Sequence, residues 1–399
     1  MAELVTRSSK RRRVAAEALS SRHRAILRLI WDHGALARST LHERTALRPT
    51  TIGELTRDLI TGGLLRPTRA EPSAGGRPSV PLEIDPVRRH VVGVSLAPGK
   101  VEATRVNLCG GVIGASRVRE IAPPDLVVRT AASLVRALIG PDTLAVGVAA
   151  TGFIDPPTRS LRLSSALGGG PRTASLAPID RAASERRVPV LLDNDMHALS
   201  ARWLLTHRAE VNDDVLLVSI DDGAIGASLL IDGRPNRGCA IAANEFGHVR
   251  FFVDTPKCYC GHRGCLERIV SSAFLRDGDG CEVVDLSEAV RAFDRESGAR
   301  ESVTRRLQTV RSHLAMALAN AVNFVRPSRL VLVSPLLRHA PFANALLGDV
   351  RELLLSELTA RVRIDVWEQP SPRSAENAAW LALADLYDGR RFAEGKGHD

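Results

Sequence analysis

Residues 244–267 read NEFGHVRFFVDTPKCYCGHRGCLE. The box Glu245-Phe246-Gly247-His248 is followed, after nine intervening residues, by Cys258-Tyr259-Cys260-Gly261-His262-Arg263-Gly264-Cys265-Leu266-Glu267. Three thiols and one imidazole make a closed tetrahedral set, the coordination Zn²⁺ takes in structural sites, so the expected metal ligands are His248, Cys258, Cys260 and Cys265. Gly261 and Gly264 allow the tight reversal that returns Cys265 toward Cys258 and Cys260. His262 is the rival nitrogen ligand, but it lies inside the loop, where its ring turns outward more easily, and His248 is preferred. Thiols crowded in this way without a metal would be an oxidation hazard.

Around this stretch the chain alternates short apolar runs with helical periodicity. Val91 to Leu96, Val101 to Val106 and Val112 to Ala115 read as a strand meander. Leu144 to Ala150, Val188 to Leu192, Val215 to Ile220 and Leu330 to Val333 are continuous apolar runs of the kind buried in α/β sheets. Helical segments separate them, notably Asp125 to Leu138 and Val303 to Phe324. Strands followed by helices, twice over, predict two α/β lobes with a cleft between them.

The first 85 residues are different in kind. Ile26, Leu27, Leu29, Ile30 and Trp31 have helical period and stop at Gly34; a second helix is expected from Ser39, capped by Ser39 or Thr40, to Leu47. A third is expected to start at Thr50 or Thr51, to bury Ile52, Leu55, Leu59 and Ile60, and to end at Gly62-Gly63. Three short helices with a tight turn before the third match helix-turn-helix spacing, and the polar set Thr50, Thr51, Glu54 and Arg57 lies off the apolar stripe, where it would face DNA. Two short apolar runs, Leu64 to Arg66 and Val80 to Ile84, flank a turn-rich loop holding Gly75-Gly76-Arg77-Pro78. Such a loop reads as a wing whose glycines let backbone approach a surface and whose Arg77 enters a narrow minor groove.

Charge follows the same division. The chain has 399 residues and a formal net charge of +9, and residues 1–80 carry 15 Lys or Arg against 7 Asp or Glu, so almost all of the excess sits in the first fifth. A positive field confined to one segment is the footprint of phosphate binding by counterion release. Six cysteines in this length are too few for a disulfide framework, no apolar run of membrane-spanning length appears, and a cytoplasmic protein is expected.

On these residues the chain resembles the ROK family (repressors, open reading frames, kinases), and within it the regulators of the xylose-repressor and N-acetylglucosamine-repressor type. The Glu-x-Gly-His box, the Cys-x-Cys-Gly-x-x-Gly-Cys-x-Glu motif and the wing Gly-Gly-Arg-Pro carry the resemblance, which runs over nearly the whole sequence. It implies an α/β fold: an N-terminal winged helix-turn-helix over 1–85, then a two-lobed actin-like, sugar-kinase (ribonuclease H-like) domain over 86–399. Lobe one would comprise about 86–195 plus a C-terminal helix at 374–390, and lobe two about 196–373 with the zinc. It implies sugar contacts at Asn194, Asp195, Glu245, His248 and Glu267, Asp195 matching the kinases' catalytic base.

The chain departs from the kinase pattern at the nucleotide positions. Gly93-Val94-Ser95-Leu96-Ala97-Pro98-Gly99-Lys100 lacks the carboxylate of the first phosphate turn. Asp221 to Ser228 has Ala224 and Ser228 in place of glycines and two acids that would repel phosphate. Ser334-Pro335 replaces a Gly-Gly turn. Phosphoryl transfer rests on such positioning, so no catalytic residue is assigned and no kinase activity is expected. On the sugar side Ala166 and His197 stand where the family often has asparagines. The expected protein is a regulator, a repressor by the resemblance, that binds a double-stranded operator as a homodimer or tetramer, carries Zn²⁺ and responds to a sugar.

Overall fold

The computed structural model describes residues 19–69, 80–121, 123–155, 157–169, 172–207, 213–237, 244–276, 285–291, 301–369, 371 and 373–389. At the start of this range lie helices α1 (Ser21–His33), α2 (Arg38–Thr45) and α3 (Pro49–Thr61), followed by an antiparallel ribbon of β1 (Leu65–Pro67) and β2 (Leu82–Ile84). Ser20 caps α1 by accepting from the His23 amide at 3.3 Å, and Gly34, at φ +78°, ends it. Ile26, Leu27 and Ile30 of α1 are buried together with Leu41 of α2 and Ile52, Leu55 and Leu59 of α3. Each such side chain contributes about 1.5–3 kcal/mol of burial free energy, and this holds three helices that would be too short to persist alone.

Two helix starts differ from expectation. α2 begins at Arg38 behind Ala37, which offers no side-chain cap, so Ser39 and Thr40 lie inside the helix; its end at Ala46 is instead held by a left-handed turn donating to His42 O. α3 begins at Pro49 behind Arg48, the fixed φ of proline serving the first turn in place of a threonine cap. The loop glycines Gly75 and Gly76, with Arg77 and Pro78, lie outside the described residues.

The body holds two five-stranded sheets of one topology. In the first, β3 (His90–Ala97) pairs antiparallel with β4 (Lys100–Asn107), which pairs antiparallel with β5 (Val112–Glu120); after α4 (Val127–Leu138), β6 (Thr143–Ala150) returns parallel on the other side of β3. A small sheet of β7 (Phe153–Asp155), β8 (Ser160–Arg162) and β9 (Thr173–Ser175), unforeseen in the sequence, and α5 (Ala177–Ser184) precede β10 (Val190–Asn194), which lies parallel on β6, and α6 (Asp195–Thr206).

The second sheet repeats the plan. β11 (Val215–Asp221) is flanked on one side by antiparallel β12 (Ala224–Ile231) and β13 (Arg234–Pro235). After α7 (Leu266–Ile269), α8 (Ser272–Arg276), α9 (Leu286–Arg291) and the long α10 (Glu301–Val325), β14 (Arg329–Val333) adds parallel on the other side. Then α11 (Ala340–Leu353) and α12 (Ser356–Thr359) lead to parallel β15 (Arg363–Val366), and α13 (Ala375–Asp388) closes the described chain. The strand orders β5-β4-β3-β6-β10 and β13-β12-β11-β14-β15 are equivalent. Every residue of β6 is buried, as its unbroken apolar run requires of a strand covered on both faces.

α13 returns to the first sheet and sits against its backbone. A side chain at Gly93 would meet Ala375 O at 1.9 Å, so only glycine admits the helix there. α6 and α13 lie together, and the apolar cluster they build continues into the three-helix head.

Candidate functional site

The carboxyl ends of β6, β10 and β11 point into one cleft between the sheets, the place where open α/β sheets bind ligands. Thr151 and Gly152 follow β6, Asn194 and Asp195 close β10, and Ser219 lies in the last turn of β11. Glu245, Tyr259 and Glu267 come from the metal-motif loops, and Arg373 from the segment before α13. The cleft encloses about 500 Å³ of space continuous with solvent.

The metal motif folds as one unit against this cleft. A short 3₁₀ turn, Phe246–His248, carries the imidazole, while the Cys258–Cys265 loop closes through Cys258 N to His262 O (2.8 Å) and Gly261 N to Cys258 O (3.0 Å). Gly264 has φ +78°, and a Cβ there would meet Phe251 O at 2.2 Å, which explains its place before Cys265. Ligand atoms of His248, Cys258, Cys260 and Cys265 lie within 4.8 Å of one another. His248 Nδ1 is 3.7 Å from Cys258 Sγ, and Cys260 Sγ is 3.6 Å from Cys265 Sγ. With Zn–S near ~2.3 Å and Zn–N near ~2.0 Å, the edges of a zinc tetrahedron are about 3.5–3.8 Å. The donor set therefore fits the ion in number, type and spacing. His262 is exposed and outside the cluster.

With Nδ1 turned to the thiols, the Nε2 edge of the imidazole meets Tyr259 and Glu245, two residues that line the cleft. His248 Nε2 is 3.1 Å from the Tyr259 hydroxyl and 3.6 Å from Glu245 Oε2. Glu267 Oε1 accepts from Cys258 Sγ at 3.0 Å and lies 3.8 Å from His248 Nδ1. Burial pushes the Cys258 thiol up and takes that of Cys265 to about 11; a bound cation reverses this by holding the thiolates.

The carboxylates of the cleft are strongly perturbed. Burial, then the charges of Asp195 and Glu267, pushes Glu245 up to about 7. Burial raises Asp195 to about 6 against the pull of Arg373, whose Nε is 3.9 Å from Asp195 Oδ2. Glu267 is raised by burial as well. Groups poised in this way at the wall of a cleft mark a binding site; together they offer acceptors to a polyhydroxylated ligand.

Asn194 has less to offer than its position implies. Its Oδ1 caps α6 by accepting from Met196 N at 2.8 Å, and its Nδ2 donates to Gly152 O at 3.0 Å. Asp195 is both the first residue of α6 and a cleft carboxylate, with Oδ1 accepting from Met196 N at 2.9 Å. Behind them Asp193 is buried, paired with His197 Nδ1 at 2.8 Å and with Arg237; although burial opposes its ionisation, these partners bring it down to about 2. His197 thus replaces an asparagine with a built pair one helical turn away.

The stretch Asp221–Ser228 is a β-hairpin, with its turn at Asp222-Gly223 and β12 beginning at Ala224. The Asp222 carboxylate accepts from Ser272 N at 2.7 Å and from the Ser272 hydroxyl. Ser95 Oγ donates to Arg373 O at 2.7 Å, and Ser334 Oγ caps its own 3₁₀ turn, accepting from Leu336 N at 3.1 Å. Tyr259 and Arg373 are among the cleft residues that the sequence reading missed, as are Thr151, Gly152 and Ser219. Tyr259 stood inside the motif, and no local signal marks Arg373.

In the head, Thr50, Glu54 and Arg57 are exposed on α3 and Thr51 is half-buried, opposite the buried stripe. The described part of the ribbon is closed by Arg66 and Glu83, paired at 2.6 Å. Among the described residues no helix is long and apolar enough to cross a membrane.

The model of the ROK family matches residues 93–385. The DNA-binding transcriptional dual regulator NagC of Escherichia coli K12 is 23% identical over 336 residues, covering 77% of this chain and 79% of that protein. A crystal structure described as a ROK family transcriptional regulator, homologue of the E. coli MLC protein, superposes with a TM-score of 0.72 at 20% identity, over 94% of this chain and 98% of that one. A ROK family glucokinase from Streptomyces griseus, in complex with glucose and AMPPNP, superposes with a TM-score of 0.56 at 20% identity, over 74% of this chain and 98% of that one.

Proposed function

The chain belongs to the ROK family, and from that premise we propose that it is a DNA-binding transcriptional regulator, a repressor, whose body is a zinc-stabilised sugar sensor without phosphoryl-transfer activity. The observation that carries the reading is the head: a three-helix unit with the polar set of Thr50, Glu54 and Arg57 exposed on its third helix, opposite a fully buried stripe. The glucokinase covers 74% of the chain and the regulator structure 94%, a difference that matches the head in size.

In this reading residues 1–85 form the winged helix-turn-helix, α3 enters the major groove, and the segment 75–78 acts as the minor-groove wing. The operator is palindromic and a homodimer or tetramer reads it in the cytoplasm. Residues 86–399 bind a sugar between the lobes through Asp195, Glu245, His248 and Glu267, with Asn194 holding the strand end. Zn²⁺ on His248, Cys258, Cys260 and Cys265 fixes the imidazole that backs Tyr259 and Glu245 of the cleft. The kinase reading is disfavoured because Ser95, Asp222 and Ser334 spend their side chains on the protein's own backbone and on Ser272.

Selection of duplexes by the purified full-length chain, followed by mobility-shift titration, tests the proposal. The selected duplex is expected to outcompete random DNA at physiological salt. Arg57→Ala is expected to weaken binding by about 1–3 kcal/mol if Arg57 reads a base, or to reduce the salt slope by about 1 if it meets a phosphate. No preference for any sequence would reject the DNA-reading function.

A further inference from the structure

Two helices that begin in the cleft end beneath the head. α6 opens with Asp195, and in its last turn Leu205 O accepts from Trp31 Nε1 of α1 at 2.9 Å. α13 starts two residues after Arg373, and its last turn meets α1 again: Arg28 pairs with Asp388, and Arg24 Nη1 lies 3.8 Å from Asp385 Oδ2. Trp31 packs edge-on against Trp380 with ring centres 6.0 Å apart, and lies 4.8 Å from the ring of Tyr387.

The second half of α6 is fastened to the first turns of α13. Arg202 of α6 donates to Asn377 Oδ1 at 2.9 Å, pairs with Glu376 at 2.8 Å, and sets its guanidinium 5.3 Å from the centre of the Trp380 ring. Contacts across a domain boundary are ordinarily few and polar. Here the buried cluster runs unbroken from Ile26 and Ile30 through Trp203 and Leu204 to Trp380 and Tyr387. The head is therefore cored on the same helix pair that begins in the cleft.

We infer that Arg373 is a displaceable resident of the cleft, and that its contact with Asp195 sets the seating of α13 and, through the α6–α13 pair, of the head. This rests on the reading of the cleft as an effector site. Of the Asp195 oxygens, Oδ1 is occupied by Met196 N and Oδ2 faces Arg373, so a ligand hydroxyl bound at Asp195 competes with the guanidinium for one atom. The pair is open to exchange: its separation is 3.9 Å and the Arg373 side chain is 26% exposed, and such partly solvated pairs are weak. Arg373 immediately precedes the Ser374 cap, and its carbonyl is held by Ser95. A change there reaches the helix start directly. α13 cannot absorb it by settling deeper, because its backbone already touches Gly93; a close-packed element of this kind shifts as a body.

The test uses the zinc-loaded full-length protein without DNA or sugar, read by amide hydrogen exchange. Arg373→Gln is expected to raise exchange about tenfold in α1 and in the last turn of α13. Arg373→Lys, which keeps the charge, is expected to restore the wild-type pattern. Arg136→Gln, which removes an ordinary exposed pair with Glu185, should leave α1 unchanged. A cooperative melt of Arg373→Gln verifies that it is folded. Exchange altered only in peptides lining the cleft, with α1 untouched, would overturn the inference, as would a Lys variant no better than Gln. The readout needs no operator, so a chain that selects no DNA would lose the proposed function while this linkage stood or fell separately.

Discussion

The cleft and the stretches compared above with the kinases' nucleotide positions have the same kinds of side chain and use them in opposite ways. In the cleft Glu245 and Glu267 face the open space, with carboxylates held above their usual range by burial. In those stretches Ser95, Asp222 and Ser334 are polar too, yet each is spent inside the protein, on Arg373 O, on Ser272 and on Leu336 N. A buried polar group must find partners. Where the fold supplies them the surface is finished; where the fold leaves acceptors aimed into a cleft, it waits for a ligand. The difference teaches where the chain leaves acceptors free for a ligand and where it uses its polar groups on itself, and the proposed function rests on that contrast.

The sharpest way to break the comparison is to remove what holds the cleft. Cys258→Ala or Cys265→Ala should abolish stoichiometric zinc by elemental analysis and lower the melting temperature by about 10 °C, since metal-binding free energy is folding free energy. Zinc retained with an unchanged melt would mean that the imidazole stands without the ion.

A second test separates two aspartates on the same strand end. Asp193 has a depressed folded-state pKa of about 2, so its pairing with His197 and Arg237 contributes stability above the ordinary carboxylate pKa, lost as pH falls through about 2. Asp193→Asn at neutral pH removes the charged acceptor shared by His197 and Arg237 and should cost about 1.5–3 kcal/mol by denaturant unfolding. Asp195 is raised to about 6, the reverse case: its contribution is fully present below the ordinary pKa and is lost as pH rises through about 6. Asp195→Asn should therefore flatten the stability profile between about pH 4 and 6. Equal pH profiles for Asp195→Asn and wild type would remove Asp195 from the perturbed carboxylates of the cleft.

The smallest effect is expected in the stretches whose polar groups are already partnered. Asp222→Asn should cost about 1–2 kcal/mol through the weakened Ser272 contacts and leave sugar binding unchanged. A loss of sugar affinity there would show that the cleft and these stretches are not independent.

Much of this was legible in the sequence, for particular reasons. The thiols of Cys258, Cys260 and Cys265 are rare side chains at ligand spacing, so the metal cluster could be named before any fold was known, and His248 over His262 followed from loop geometry. Helices α1 and α3 announced themselves by their apolar stripes, whereas the start of α2 did not, because Ala37 carries no capping group. Asn194 lines the cleft, but a motif does not tell that its amide is occupied by Met196 N and Gly152 O. Arg373 was invisible because its meeting with Asp195 is created only when α13 returns to the first sheet. Tyr259 lay in plain view between two cysteines, and only the loop's closure reveals where its hydroxyl ends.

The most direct test of the central claim is calorimetric titration of the zinc-loaded full-length chain with a panel of neutral, amino, acidic and phosphorylated sugars, and separately with Mg-ATP. A sugar should bind, with affinity lowered about 10- to 100-fold by Glu267→Gln, and ATP should give no heat. Saturable ATP binding, or phosphate transferred to any sugar of the panel, would contradict the account.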